Sequence, residues 1–347
     1  MNIYIKNDIW EYLKNTEKPI ALYGMGNGAD KILRYFGEFG IKICGVFASD
    51  EFVRDKKFHG FKIKTYRQLL TEYPEMIVVV AFGTQLDSVI ENIKSIAENS
   101  ELYAVDVPVV GNTLFDLKYF EKNRKKFQKL FDRLADEQSR QTLRDIILFK
   151  LTGKIDYLFD CETEPNETLK FLKFTESEMF FDLGAYRGDT VAEFLKNTDG
   201  YSHIVAVEPD KKSYNKLVLN TNNLIDITNI NACVGEECRK TEFTMSGGRN
   251  SKIGSGEVIE MVTVDCLSET HCPTFIKMDL EGGEANAIKG ADGTISKHKP
   301  KMQIACYHRT EDLSEIPEKV LEKRPDYKIY LRHFKYIPAW DVNYYFI

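Results

Sequence analysis

Twice along this chain a short apolar run ends in a glycine-containing turn and opens an amphipathic helix, and that repetition limits the fold more than any other feature. The first instance is IALYGMGNGADKILRYF from Ile20, the second MFFDLGAYRGDTVAEFLK from Met179. Each is followed by more apolar runs separated by helical patterns: IKICGVF and MIVVVAF after the first, HIVAVEP, FIKMDLE and KMQIACYH after the second. Such alternation builds a parallel sheet with helices on its faces. At 347 residues the chain exceeds the roughly 250–300 at which single cores stop growing. The expected class is α/β with two Rossmann-like domains, residues 1–112 and 153–347. Between them, residues 113–152 are rich in charge, and Phe127, Leu130, Phe131 and Leu134 recur at helical spacing, so this segment is expected to be a helical connector.

A hydrophobic content of 43% with 29% charged residues suits a globular protein. The net charge of −6 argues against a nucleic-acid partner. No apolar run is long enough to span a bilayer, and the first residues lack the pattern of a secretory signal. The seven cysteines are scattered without CxxC pairs, Cys233 and Cys238 being the nearest to one. They are expected to be reduced, in a cytoplasmic protein.

The two glycine turns differ in chemistry. In YGMGNGADK, Gly24, Gly26 and Gly28 follow G-x-G-x-G, and Asp50 stands roughly where a ribose-binding acid would fall. A plain tight turn, a bound nucleotide or nucleotide-sugar, and an NAD site all remain open there. In FFDLGAYRGDT the glycines are Gly184 and Gly188, and Asp182 ends the strand, which suits an amino group and not a pyrophosphate. Glu208 ends the next strand, placed for two ribose hydroxyls. Asn231 and Ala232 follow the third as an adenine wall. An amine-binding acid, a glycine turn and a ribose-binding acid describe S-adenosylmethionine, with Ala185, Tyr186, Thr190 and Pro209 completing the expected cofactor set.

The stretch IKMDLEGGE, Ile276 to Glu284, ends an apolar strand in three acids. Asp279 and Glu281 alternate and are expected to share a face. Glu284 suits a helix start. Together with FFDLGAYRGDT, VAVEPD, VTVDCLSE, KPKMQIACYHRTEDLSEIP, YKIYLRHF and NYYFI, this stretch resembles the FkbM-type methyltransferases over roughly Ile155 to Ile347. Gly283 departs from a common E-G-A-E. The resemblance implies a seven-stranded class I methyltransferase sheet with its last strand antiparallel, and methyl transfer to a hydroxyl of a carbohydrate or carbohydrate-bearing metabolite. Asp182, Gly184 and Gly188 would hold the methionine part, Glu208 the ribose, and Asp279 would reach cofactor or acceptor. His308, after QIACY, is the expected general base, with Asp279 and Glu281 as catalytic partners. A divalent cation among these acids is admitted but not favoured. Arg332 and His333 are further candidates for acceptor contacts. The partner is then a small molecule or glycan, and a homo-oligomer is left open. The rival reading is a nucleotide-sugar or partner-binding protein with a degenerate methyltransferase half.

Overall fold

The computed structural model describes residues 1–49, 57–244, 252–253 and 257–347. Among them are three sheets. The first has six strands: β1 (Ile20–Tyr23), β2 (Gly45–Phe47), β3 (Lys57–Phe58), β4 (Phe61–Lys64), β5 (Ile77–Val80) and β6 (Glu101–Ala104), in the order β3-β4-β2-β1-β5-β6. All its pairings are parallel except β3 with β4, a small hairpin at the edge. β1 and β5 are buried along their whole length, as strands covered by helices on both faces must be. The helix Asn27–Phe39 buries Ala29, Ile32, Tyr35 and Phe36 and stops at Gly40, which adopts the left-handed conformation.

The third sheet has seven strands: β7 (Met179–Leu183), β8 (His203–Val207), β9 (Ile227–Ile230), β14 (Phe275–Met278), β15 (Lys301–Ala305), β16 (Ile329–His333) and β17 (Val342–Phe346). Their order is β16-β17-β15-β14-β7-β8-β9, and β17 runs antiparallel to both neighbours. The strand order switches direction beside β7, and in open α/β sheets ligands bind at the carboxyl ends of the strands flanking such a point. Between β9 and β14 the chain forms the second sheet, from β10 (Cys233–Val234), β11 (Arg239–Thr244), β12 (Lys252–Ile253) and β13 (Glu257–Val262). The helical patterns had not indicated this insert. All seven cysteines are free, and Cys238 lies against Cys266, Sγ to Sγ 2.7 Å, and not beside Cys233 as a pair.

The connector is two helices, Leu117–Arg133 and Glu137–Thr152. No Gly or Pro breaks them. The chain instead leaves the helix to pair Ala135 N–H with the Ile329 carbonyl of edge strand β16, and Asp136 restarts it by accepting from Ser139 N–H. One buried cluster runs from Val78 and Val80 of β5 through Phe127 and Ile146 of the connector to Phe181 of β7 and Ile276 of β14.

Lys150 of the second connector helix bonds Asp106, just after β6, at 2.7 Å with both side chains buried. Removing one partner of such a pair strands the other charge in a dry interior. Lys150→Ala should therefore lower unfolding stability by roughly 3–5 kcal/mol in urea titrations; a loss within error would mean that the pair does not tie the connector to the first sheet.

Candidate functional site

β7 and β14 are neighbours in the sheet, and the turns that leave them touch. Gly184 has φ +88°, and a Cβ there would stand 2.0 Å from the carbonyl oxygen of Asp279. Only glycine permits this approach. The turn is held on its other side by the Gly184 and Ala185 N–H groups, which both donate to the Val207 carbonyl of β8. Gly188 then opens the helix Asp189–Lys196, with Thr190 in its first turn, and Tyr186 is exposed between the two glycines.

Glu208, just past β8, is buried and accepts from Tyr186 N–H and Asp210 N–H, one on each carboxylate oxygen, both at 2.8 Å. Each oxygen retains a lone pair, so a ribose diol can still bond to it. Burial pushes its pKa up to about 7, against the pull of those two N–H groups. Asn231 donates to the Glu208 and Pro209 carbonyls and so fixes the loop beside Ala232, which is buried.

Asp182 is fully buried, and neither of its oxygens has a hydrogen-bond partner. Its neighbour in register on β14 is Lys277, whose Nζ lies 3.5 Å from Asp182 Oδ1 and bonds the Gly184 carbonyl. Burial raises the Asp182 pKa to about 6, with Lys277 opposing. The chain's own ammonium thus stands beside the acid expected to meet a cofactor amine. Lys277 escaped the sequence reading, although a lone lysine between Ile276 and Met278 was the visible signal.

β14 ends at Met278, so Asp279 and Glu281 do not alternate on a strand as expected. They lie in the following turn, where Glu281 has φ +50°, and still converge on one group. His308, just beyond β15 and 1% exposed, has Nε2 3.4 Å from Asp279 Oδ1 and 3.6 Å from Glu281 Oε2. Its Nδ1 is 3.0 Å from Glu284 Oε1. Glu284 does begin a helix, Glu284–Lys289, but it is fully buried and also accepts from Leu280 N–H at 2.7 Å. Burial works against a charged imidazole here, and Glu284, Asp279 and Glu281 outweigh it, raising His308 from 6.5 to about 9. A ring held as imidazolium is not the free base expected from an unperturbed histidine.

Segments of the other half of the chain lie against the loops around this cleft. Val110 N–H donates to the His308 carbonyl, Thr310 Oγ1 to the Thr113 carbonyl, and Lys31 Nζ to the Val109 carbonyl. Thr84, after β5, exchanges two backbone hydrogen bonds with Ile337, and the Trp340 ring covers Gly83. Tyr307, Arg309 and residues 108–113 therefore border the acids, a neighbourhood that no local pattern announced.

Arg332 and His333 do not face this cleft. Arg332 is buried in a bidentate pair with Asp136 and bonds Ser139 Oγ, which anchors the second connector helix. His333 is buried without a carboxylate, and that burial lowers its pKa to about 4. In the first glycine turn, a Cβ on Gly24 would meet the Phe82 ring at 2.5 Å and one on Gly28 the Ala81 carbonyl at 2.5 Å, so packing alone accounts for both. Gly26 caps the helix with open space around it. Asp50 lies outside the described residues.

Because the folded pKa of His308 is raised, its contribution to stability is complete below about pH 6.5 and disappears as pH climbs through about 9. In metal-free buffer the stability advantage of the wild type over His308→Gln should shrink across that window by on the order of 3 kcal/mol. Parallel stability–pH curves for the two proteins would contradict the charged-imidazole assignment.

Residues 182–329 match the family model for the methyltransferase FkbM domain. The fold is similar to a crystal structure of methyltransferase FkbM from Methylobacillus flagellatus KT, with 26% identity, a TM-score of 0.73, and coverage of 95% of this chain and 90% of that one. A precorrin-6y C5,15-methyltransferase from Geobacter metallireducens GS-15 is similar over 52% of this chain and 83% of its own, at 13% identity and a TM-score of 0.34. Fibrillarin from Aeropyrum pernix, with natively bound S-adenosyl-L-methionine, is similar over 50% and 67%, at 14% identity and a TM-score of 0.32. No curated protein matches the chain. Among the described residues, no helix is long and apolar enough to cross a membrane.

Proposed function

We propose that this chain, a methyltransferase whose residues 182–329 belong to the FkbM family, transfers a methyl group from S-adenosylmethionine to a hydroxyl of a carbohydrate or carbohydrate-bearing metabolite. The observation that carries the reading is the pairing, at one sheet edge, of an acid able to hold a diol with a cluster able to take a proton. Glu208 and the Gly184–Gly188 turn flank one side of the β7 crevice, and Asp279, Glu281 and His308 the other. In this reading Ala185, Tyr186, Thr190, Pro209, Asn231 and Ala232 line the cofactor. Asp182 acts through Lys277 rather than by direct contact.

The sulfonium supplies the leaving group, so the protein has to align acceptor oxygen, methyl carbon and sulfur and to receive one proton. The C–S bond breaks as the C–O bond forms, and the thioether product leaves uncharged. The acceptor hydroxyl donates to the Asp279 carboxylate, which takes the proton, with His308 Nε2 held 3.4 Å from that carboxylate. Residues 1–112 would form one domain, docking the acceptor through the segments that lie against the cleft. Residues 113–152 would serve as connector and 153–347 as the transferase domain. A sugar with several hydroxyls suits a mouth bordered by Glu281, Tyr307 and Arg309.

Calorimetry with S-adenosylhomocysteine is the decisive measurement, and no binding by the wild type would remove the proposal in favour of a degenerate, partner-binding domain. Glu208→Gln should weaken that binding by roughly 10-fold or more, the loss of charge-assisted hydrogen bonds to the ribose. His308→Ala should leave it intact and slow methyl transfer to sugar acceptors by about 100-fold; unchanged turnover would move proton transfer away from this cluster.

A further inference from the structure

His308 is a buried side chain of the cleft whose ring nitrogens lack hydrogen-bond partners. Its ring is 1% exposed, neither nitrogen makes a well-formed hydrogen bond, and Glu284 Oε2 beside it is also buried without a partner. Three carboxylates crowd a single imidazole. Lys277, the ammonium on the adjoining strand, is turned to Asp182 and the Gly184 carbonyl.

We infer that His308 Nε2, Asp279 and Glu281 bind a first-row divalent cation, Mn²⁺ or Zn²⁺, with at least one coordination position open to the cleft. The spacing fits. Two ligand atoms each about 2.1 Å from a metal stand about 3.0 Å apart at a right angle and about 3.4 Å apart at a tetrahedral angle. Nε2 is 3.4 Å from Asp279 Oδ1 and 3.6 Å from Glu281 Oε2, close to the tetrahedral separation for each carboxylate with the imidazole. Asp279, Glu284 and His308 each offer a ligand atom, all within 4.8 Å of one another. Glu284 has the second position of a carboxylate–histidine–metal triad: fixed by Leu280 N–H, it faces Nδ1 and aims Nε2 at the other two acids. An imidazole among carboxylates favours Mn²⁺ or Zn²⁺ over Ca²⁺ and Mg²⁺. Asp279 and Glu281 are 36% and 31% exposed, so the cation has an entry path and the buried histidine does not close it.

Only the use of the cation rests on the methyl-transfer reading: an acceptor hydroxyl at the open position would be acidified and oriented toward the methyl group. Its binding does not.

The test is metal binding by the full-length protein, stripped with EDTA and titrated with Mn²⁺ under electron paramagnetic resonance, then with Zn²⁺ as competitor. One equivalent should bind, displaced by Zn²⁺. His308→Gln, Asp279→Asn and Glu281→Gln should each weaken it by roughly 10-fold or more, and Glu284→Gln by roughly 10- to 100-fold. Glu281, at the exposed lip, keeps the test sound if a buried variant fails to fold. Absence of stoichiometric binding for both metals, or affinity unchanged in the variants, overturns the site. S-adenosylhomocysteine calorimetry on the same stripped samples separates the two ideas. Cofactor binding without metal binding sinks the metal site alone. Metal binding without cofactor binding sinks the transferase reading alone.

Discussion

The carboxyl edge of the seven-stranded sheet depends on the contact between the turn after β7 and the turn after β14. Because Gly184 has no Cβ, its backbone can lie against the Asp279 carbonyl, and everything in the crevice is positioned from that contact. It sets Lys277 beside Asp182 within the sheet, and it carries Asp279 past the end of β14 to meet a histidine arriving from β15. The same turn, fastened to Val207, brings the Tyr186 N–H onto Glu208. Two sides of one crevice, separated by more than 70 residues in the chain, are thus locked to a shared reference.

Three other buried charges among the described residues each have a partner of opposite sign. Lys150 answers Asp106, Arg332 answers Asp136, and Lys301 answers Glu178. Such matching is what the cost of taking ions out of water demands. The cluster at His308 departs from it: three acids surround a single buried ring, Glu284 buried with it and Asp279 and Glu281 about one-third exposed. The departure falls at the sheet edge where α/β ligands bind, which gives the imbalance a place in function and not only in folding.

Strand positions of both large sheets were legible because buried parallel strands are written as apolar runs between turn residues. Asp182, Glu208, Asp279 and His308 were legible as strand ends for the same reason. What pattern did not reveal was partnership. Arg332 and His333 looked like polar exceptions in an aromatic strand, yet Asp136, which claims Arg332, lies 196 residues earlier. Glu284 satisfied the rule for a helix start and gave no sign that it would be buried against an imidazole. The insert β10–β13 was passed over because its strands fall between the methyltransferase-like runs. The break after Arg133 is set by the edge of β16, a tertiary pairing that no local residue encodes.

The backbone bond from Val110 to the His308 carbonyl has a consequence for any attempt to divide the protein. The histidine that organises the acids is held from outside by a segment that belongs, in sequence, to the other half of the chain. Cutting between residues 112 and 153 would divide the buried cluster that the two halves share and take away the strap over the His308 carbonyl. An inactive C-terminal fragment would then report a loosened imidazole as readily as a missing acceptor pocket. Grafting the N-terminal half of a relative onto this one would replace the segment that holds the His308 carbonyl. The two halves of the chain meet at the His308 backbone.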